Sequence, residues 1–379
     1  MIYLDHAATT PVRREVLEAM WPYLTGEFGN ASSHHELGTV ASAALKKART
    51  DVAAWFGCRA SEVTFTSGGT EAINLAVKGI ALSAPRGRHL VTTPLEHEAT
   101  LESFDYLRRF HGFEVEFVRV DADGRIDLAH LAELLRDDST LVSVSAANNE
   151  IGTLQDSAAI SELCRAKGVP LHVDAVQAAG WIDLSALGAD AISISGHKLG
   201  APKGVGALYA RSRLRLEPVI HGGGQEGGRR SGTENVAAAV GLATAVRLSE
   251  ADREARSERM THVRDRFIAR VEERMPDARL TGSREQRLPT IASFLFPTTS
   301  GESVLLALEE RGVVVSSGSA CAAGSDEASH VLVALGVSPA EAQTAVRFSF
   351  GTDSSEDDAD AAVDALVAAV AAARSLGTH

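Results

Sequence analysis

Cysteine is scarce: Cys58, Cys164 and Cys321 are the three thiols in 379 residues. They are too few and too scattered for a disulfide framework or a zinc site. No run approaches the roughly 18 consecutive apolar residues that a membrane span needs. The most apolar stretch, Val236–Val246, is Ala-rich and too short. Basic charge is in deficit, 37 Lys and Arg against 50 Asp and Glu, for a formal net charge of −13. That balance opposes non-specific attraction to a phosphate backbone, and no nucleic-acid binding is expected. Met1–His6 shows neither a basic leader nor an apolar signal core, which points to the cytoplasm. Internal repeats and low-complexity linkers are also missing.

What remains is the composition of a soluble globular chain, 45% hydrophobic and 23% charged, long enough for roughly two domains. From Val63 to Tyr209, β-branched runs alternate with helical patterns. The strand candidates are 63–65, 89–92, 114–120, 141–145, 170–174, 191–195 and 206–210. This alternation predicts an α/β fold, a mostly parallel sheet with helices on both faces. Ligands of such sheets sit beyond the carboxyl ends of the strands. Beyond about residue 247 the pattern changes. A charged helix is expected over 249–275 with Met260, Val263, Phe267 and Val271 inward, then short strands at 291–296, 313–316 and 346–350. A last helix follows Ser354 or Ser355, with Val363, Leu366, Val367 and Val370 as its apolar stripe. These elements suggest a smaller α+β domain.

Four constellations could carry chemistry. Thr66-Ser67-Gly68-Gly69-Thr70-Glu71-Ala72 joins a strand to a helix. Its glycines let backbone N–H groups approach a ligand, and the helix terminus would favour an anion by about 0.3–2 kcal/mol. A plain turn capped by Thr70 is the equal alternative, and the Lys of a Walker loop is missing. His172-Val173-Asp174-Ala175-Val176-Gln177 ends a strand on an acid, either a simple cap or a carboxylate held against a cationic ring nitrogen. Ser193-Ile194-Ser195-Gly196-His197-Lys198 ends another on a lysine, a Schiff-base nucleophile if it faces the cleft and an ordinary surface residue if it does not. Ser195-x-x-Lys198 also fits a serine acyl-enzyme motif, but the partner motifs of that class are missing. Ser316-Ser317-Gly318-Ser319-Ala320-Cys321-Ala322-Ala323-Gly324-Ser325 sets a thiol among small residues that cannot build a core. Exposure and reactivity are expected there, whereas Cys58 and Cys164 are read as structural. Gly222–Gly227 fits G-x-G-x-x-G without the surrounding βαβ unit, and His34-His35 lacks companions at ligand spacing, so neither a dinucleotide nor a metal is expected.

Taken with Tyr3-Leu4-Asp5-His6-Ala7-Ala8-Thr9-Thr10, Phe28-Gly29-Asn30, Asn148-Asn149-Glu150-Ile151-Gly152, Arg230-Ser231-Gly232-Thr233 and Val346-Arg347-Phe348-Ser349-Phe350-Gly351, the set resembles the cysteine desulfurases of the NifS/IscS type. These are class V aminotransferase-family enzymes of the aspartate-aminotransferase-like pyridoxal-phosphate fold type I. The likeness spans nearly the whole chain and places Cys321 in the longer-loop subgroup. It implies a large coenzyme-binding domain over 13–250. Residues 1–12 and 251–379 would form the small domain that carries Cys321.

The resemblance also implies roles. Lys198 would carry pyridoxal 5′-phosphate and move the Cα proton. Asp174 would pair with the pyridine nitrogen, an attraction of about 4 kcal/mol at 4 Å and an effective dielectric near 20. Gln177 would bond the ring oxygen, and His97 would stack on the ring and assist proton transfer. Gly69, Thr70, Ser195 and His197 would hold the phosphate, with Thr233 reaching across from a second subunit. Asn149 would touch coenzyme and substrate, and Arg347 would grip the substrate carboxylate. Cys321 would take the sulfur of L-cysteine as a persulfide, leave L-alanine, and pass the sulfur to an acceptor protein. That acceptor would be a scaffold of iron–sulfur cluster biosynthesis or a thiolation enzyme. A homodimer is implied as well. Ala31 and Ala201 stand where relatives often have Pro and Gly. The chain closes soon after its last helix, without the tail that some relatives turn towards a scaffold, so the acceptor stays open. The rivals are another enzyme of the fold, an aminotransferase or a selenocysteine lyase, and a non-catalytic binding module.

Overall fold

A computed structural model describes residues 1–317 and 328–376. The strands are β1 (Ile2–Tyr3), β2 (Val63–Thr66), β3 (His89–Thr92), β4 (Glu114–Phe117), β5 (Ser139–Ser145), β6 (Leu171–Asp174), β7 (Ala191–Ser195), β8 (Gly206–Ala210), β9 (Arg279–Leu280), β10 (Ile291–Leu295), β11 (Val313–Val314) and β12 (Ala345–Ser349). The helices are α1 (Arg14–Thr25), α2 (Glu36–Phe56), α3 (Gly69–Ser83), α4 (Glu98–His111), α5 (Leu128–Leu134), α6 (Ser157–Ala166), α7 (Val236–Ala251), α8 (Arg253–Arg274), α9 (Gly301–Glu309), α10 (His330–Ala334), α11 (Pro339–Ala342) and α12 (Glu356–Leu376).

Seven strands form one sheet in the order β2-β8-β7-β6-β5-β3-β4. β8 runs against both neighbours, and the other neighbouring pairs are parallel. Apart from Asp174 at the end of β6, the central strands β5, β6 and β7 are apolar or neutral, as a sheet covered on both faces requires. Residues of β2, β3, β6, β7 and β8 are all buried. Crossover helices then deliver the carboxyl ends of β2, β3, β5, β6 and β7 to one edge.

β4 stops at Phe117, short of the expected residue 120. Val120 bridges instead to Ile126 across a turn in which Gly124 N–H donates to the Asp121 carbonyl. The Ala-rich segment is α7, which packs against α1 and α2. A Cβ at Gly241 would lie 2.6 Å from Met20 Sδ, so a larger residue there would have to push the Met20 side chain aside. The charged helix expected over 249–275 breaks at Asp252, whose φ of −131° is not helical, and α8 begins after it.

Two further sheets, β12-β10-β9 and β1-β11, lie with α8, α9 and α12 around a second core. Met260, Val263, Phe267 and Val271 enter that core from α8, as do Val363, Leu366 and Val370 from α12. The amino-terminal strand belongs here too, pairing Ile2 with Val313 and Tyr3 with Val314. No described helix is long and apolar enough to cross a membrane.

Candidate active site

Lys198 closes a single 3₁₀ turn, Gly196–Lys198, immediately after β7. That turn aims it at the sheet edge, where its Nζ donates to the carbonyls of Ala7 and, at 2.8 Å, Ala8. Gln177 Nε2 donates to the same Ala7 carbonyl at 2.9 Å. The amine therefore faces the other strand ends, held by backbone from the amino-terminal segment. Thr10 N–H and hydroxyl both donate to the His197 carbonyl, and the Thr10 hydroxyl accepts from Gly200 N–H. His197 Nδ1 lies 3.1 Å from the Thr9 hydroxyl.

Asp174 ends β6 fully inside the protein, and Val176 N–H donates to its Oδ1 at 2.9 Å. Burial raises its pKa, while the backbone N–H and the charges of His97 and Lys198 pull the other way. A desolvated carboxyl of this kind is most stable as an anion when a cation lies against it. His97 caps α4 through Nδ1, which accepts from Ala99 N–H at 3.0 Å. Burial and the nearby Lys198 and Lys203 charges push His197 down to about 4, so it is neutral at physiological pH.

The turn from β2 into α3 forms the cradle. Its cap is Gly68, not Thr70, and Ser67 N–H donates to Glu71 at 2.8 Å. A Cβ on Gly69 would lie 2.8 Å from Val176 Cγ2 and 3.3 Å from Ser195 Cβ. Glycine therefore lets the start of α3 lie flush against the ends of β6 and β7. First-turn N–H groups point out of a helix towards any anion placed there. Thr233 lines a small cavity of about 140 Å³ together with Thr66, Ser67 and Arg230 of its own chain.

Arg347 lies on β12 with a side chain 1% exposed. Its Nη1 donates to the Asn149 carbonyl at 3.0 Å and its Nη2 to Asp5 at 2.8 Å. Its backbone exchanges two hydrogen bonds with Ser316, at 2.7 and 3.2 Å. Cys321 lies outside the described residues. Described residues before and after it are fastened to the site: Ser316 to Arg347, Ser329 to Glu150 and His330 to the Glu96 carbonyl. A cavity of about 530 Å³ has Ala7, Gln177 and Lys198 on its wall, but neither Gly69, Thr70 nor His97.

One edge of the large sheet thus gathers Gly69, Thr70, His97, Asn149, Asp174, Gln177, Ser195, His197 and Lys198, with Arg347 arriving from the second core. The sequence reading attached no role to Asp5 or to the Ala7 and Ala8 carbonyls. Backbone acceptors leave no side-chain signal, and the Tyr3–Thr10 block was the visible cue. It also missed Glu96, whose cue was its place beside His97. Glu96 is buried and accepts from Thr93 Oγ1, Ser145 N–H and Ser145 Oγ.

Comparison with known proteins places this geometry. Residues 2–362 match the aminotransferase class-V family, and the chain belongs to it. It is similar to the cysteine desulfurase IscS of Dictyoglomus turgidum, with 44% identity over 368 residues, 96% of this chain and 93% of that one. Among solved structures it resembles a NifS-like protein at 36% identity and a TM-score of 0.90, covering 97% of this chain and 98% of that one. It also resembles SspA in complex with cysteine at 36% identity and a TM-score of 0.80, covering 92% and 99%.

The coenzyme of such enzymes is pyridoxal 5′-phosphate, and the residues present fit it. The glycine cradle at a helix terminus suits its phosphate, the buried Asp174 suits a cationic ring nitrogen, and Lys198 offers the amine. When bound, the coenzyme supplies an electron sink that loosens the bonds at the substrate Cα.

Proposed function

We propose that the chain is a pyridoxal-phosphate-dependent cysteine desulfurase, converting L-cysteine to L-alanine and leaving the sulfur on Cys321 as a persulfide. One observation carries the reading beyond family membership. Arg347 turns its guanidinium to Asn149 and Asp5 while its backbone pairs with Ser316, five residues before Cys321. The grip on a substrate carboxylate and the root of the thiol segment are therefore joined by an isolated backbone bridge.

In this reading Lys198 would hold the coenzyme and move the Cα proton, and Asp174 would supply the charge opposite its ring nitrogen. His97 would stack on the ring, and Gln177 would bond the ring oxygen. Gly69, Thr70, Ser195 and His197 would hold the phosphate, and Asn149 and Arg347 would orient the substrate. The Cys321 thiolate attacks the substrate sulfur, forming an S–S bond as the C–S bond breaks. The sulfur is oxidised and the substrate carbon reduced, and a proton completes the methyl group of alanine. No outside oxidant is needed.

The persulfide then passes to an acceptor protein. We also read the chain as a homodimer, to which Thr233 contributes across the interface, and as cytoplasmic. Cys58 and Cys164 are free thiols, in keeping with a reducing compartment.

Cys321→Ala tests the mechanism. The variant is expected to keep the bound coenzyme's visible absorption and to bind L-cysteine, yet to form no labelled persulfide and no alanine at a useful rate. Undiminished sulfur transfer by that variant would falsify the role of Cys321.

A further inference from the structure

The opening block Tyr3–Thr10 carries much of the family resemblance, yet the roles assigned above leave its one carboxylate unused. Asp5 is that group. Its Oδ1 accepts from Arg347 Nη2 at 2.8 Å, and the two side chains are 18% and 1% exposed.

Backbone pairing sets this contact. Asp5 bridges to Ser349, two residues along β12 from Arg347. Ser349 N–H donates to the Leu4 carbonyl at 2.7 Å, His6 N–H to the Ser349 carbonyl at 3.1 Å, and Ala7 N–H to the Ser349 hydroxyl at 2.9 Å. The Tyr3 hydroxyl bonds the carbonyls of Asp5 and Thr9, closing the turn on itself. The carboxylate is thus placed by four neighbouring residues rather than by a flexible side chain finding its partner.

Arg347 needs such placement. An arginine side chain has many rotamers, and a carboxylate is gripped in two-point fashion only when the guanidinium plane is already set. Here Asp5 holds Nη2 and the Asn149 carbonyl holds Nη1, from two different parts of the fold. A guanidinium has five N–H donors in a fixed fork, so it can keep Asp5 and the Asn149 carbonyl while it takes part in binding a carboxylate.

We propose that Asp5 is a positioning residue for substrate binding: it holds the Arg347 guanidinium in the orientation that receives the α-carboxylate of the amino acid. The inference rests on reading Arg347 as the carboxylate-binding group, and it assigns Asp5 no contact with the reacting atoms.

The holoenzyme variants Asp5→Ala, Asp5→Asn, Asp5→Glu and Arg347→Met test it. Two quantities are read for each: the KM and kcat for L-cysteine, and the dissociation constant of L-alanine by calorimetry. L-Alanine offers the same carboxylate without the sulfur chemistry. Asp5→Ala is expected to raise both KM and the L-alanine dissociation constant about tenfold with kcat within about threefold. Asp5→Asn keeps an oxygen acceptor in place and is expected to hold both constants within about threefold of the native protein. Asp5→Glu keeps the charge but displaces the acceptor by one methylene, so it is expected to weaken both. This pair separates orientation from charge even if the alanine variant does not fold.

Native constants in Asp5→Ala, a loss confined to kcat, or Asn impaired while Glu is not would each overturn the proposal. Arg347→Met separates the two claims. If it binds L-alanine as tightly as the native protein, the assignment of Arg347 fails first and that of Asp5 goes with it. If it weakens binding while the Asp5 variants do not, the Asp5 proposal alone fails.

Discussion

A carboxyl group sealed inside a protein answers to its neighbours rather than to bulk pH, and Glu96 is such a group. Burial pushes it up to about 7, with the charge of Asp174 adding to the rise and hydrogen bonds from Ser145 and Thr93 opposing it. His330 touches the backbone carbonyl of the same residue, and His97 follows it in the chain. The folded value exceeds the ordinary one, so the folded state binds more protons than the unfolded state between them. The stabilisation is complete below about 4.5 and is lost as the pH rises through about 7. Glu96→Gln removes that titration. Relative to the native protein, the variant is therefore expected to gain stability between pH 5 and 8, by at most roughly 3 kcal/mol. Chemical denaturation across that range measures it, and a pH-independent difference would show that Glu96 does not titrate there. Such residues were hard to see in the sequence. Lys198, Asp174 and Gln177 stood out because each follows an apolar strand. Asp5 and Glu96 look like ordinary surface acids until the fold buries their surroundings.

At the level of elements, the site depends on how closely β8 lies against the cradle. β8 enters the sheet at Gly206, opposite Thr66 on one side and Ser195 on the other. A Cβ there would stand 2.7 Å from both the Gly68 carbonyl carbon and the Ile194 oxygen. Both are backbone atoms and cannot swing aside as a side-chain tip could. Gly206→Ala is therefore expected to cost about 1–3 kcal/mol of stability. It should also displace the Ser67–Thr70 turn, so that the purified variant retains less coenzyme, as read from its visible absorption. Native melting and full coenzyme content would show that the cradle tolerates the added methyl group. The strands that end on Asp174 and just before Lys198 were legible because buried parallel strands are mostly apolar runs ended by polar residues. The reversal of β8 was not, since residues 206–210 are apolar whichever way the strand runs. Nor was the break at Asp252, because helical spacing continues through it and only the backbone turn at one residue separates α7 from α8.

For the whole molecule, the distribution of exposed apolar surface favours an assembly. Leu17, Trp21 and Leu24 follow one another at helical spacing along α1 and are each more than half exposed, while the adjoining Val16 and Met20 are buried. Phe28, Leu37 and Val40 continue the exposed series into α2. Scattered exposed hydrophobes are normal, and six within 24 residues of chain are a concentration that an interface between copies would account for. A net charge of −13 would drive two copies apart at long range, so an apolar contact has to outweigh it. Trp21 is the largest of the six, and aromatic side chains commonly dominate such contacts. Replacing it with a carboxylate both removes that area and would bury an unpaired charge, a change expected to weaken association by at least about tenfold. Sedimentation of the native protein should give a dimer, and Trp21→Glu should shift it towards monomer as the protein is diluted. If Thr233 serves the coenzyme of the opposite subunit, the same dilution should release coenzyme from the variant. Coenzyme that stays bound to a monomer would confine Thr233 to its own chain, and a monomeric native protein would remove the assembly altogether.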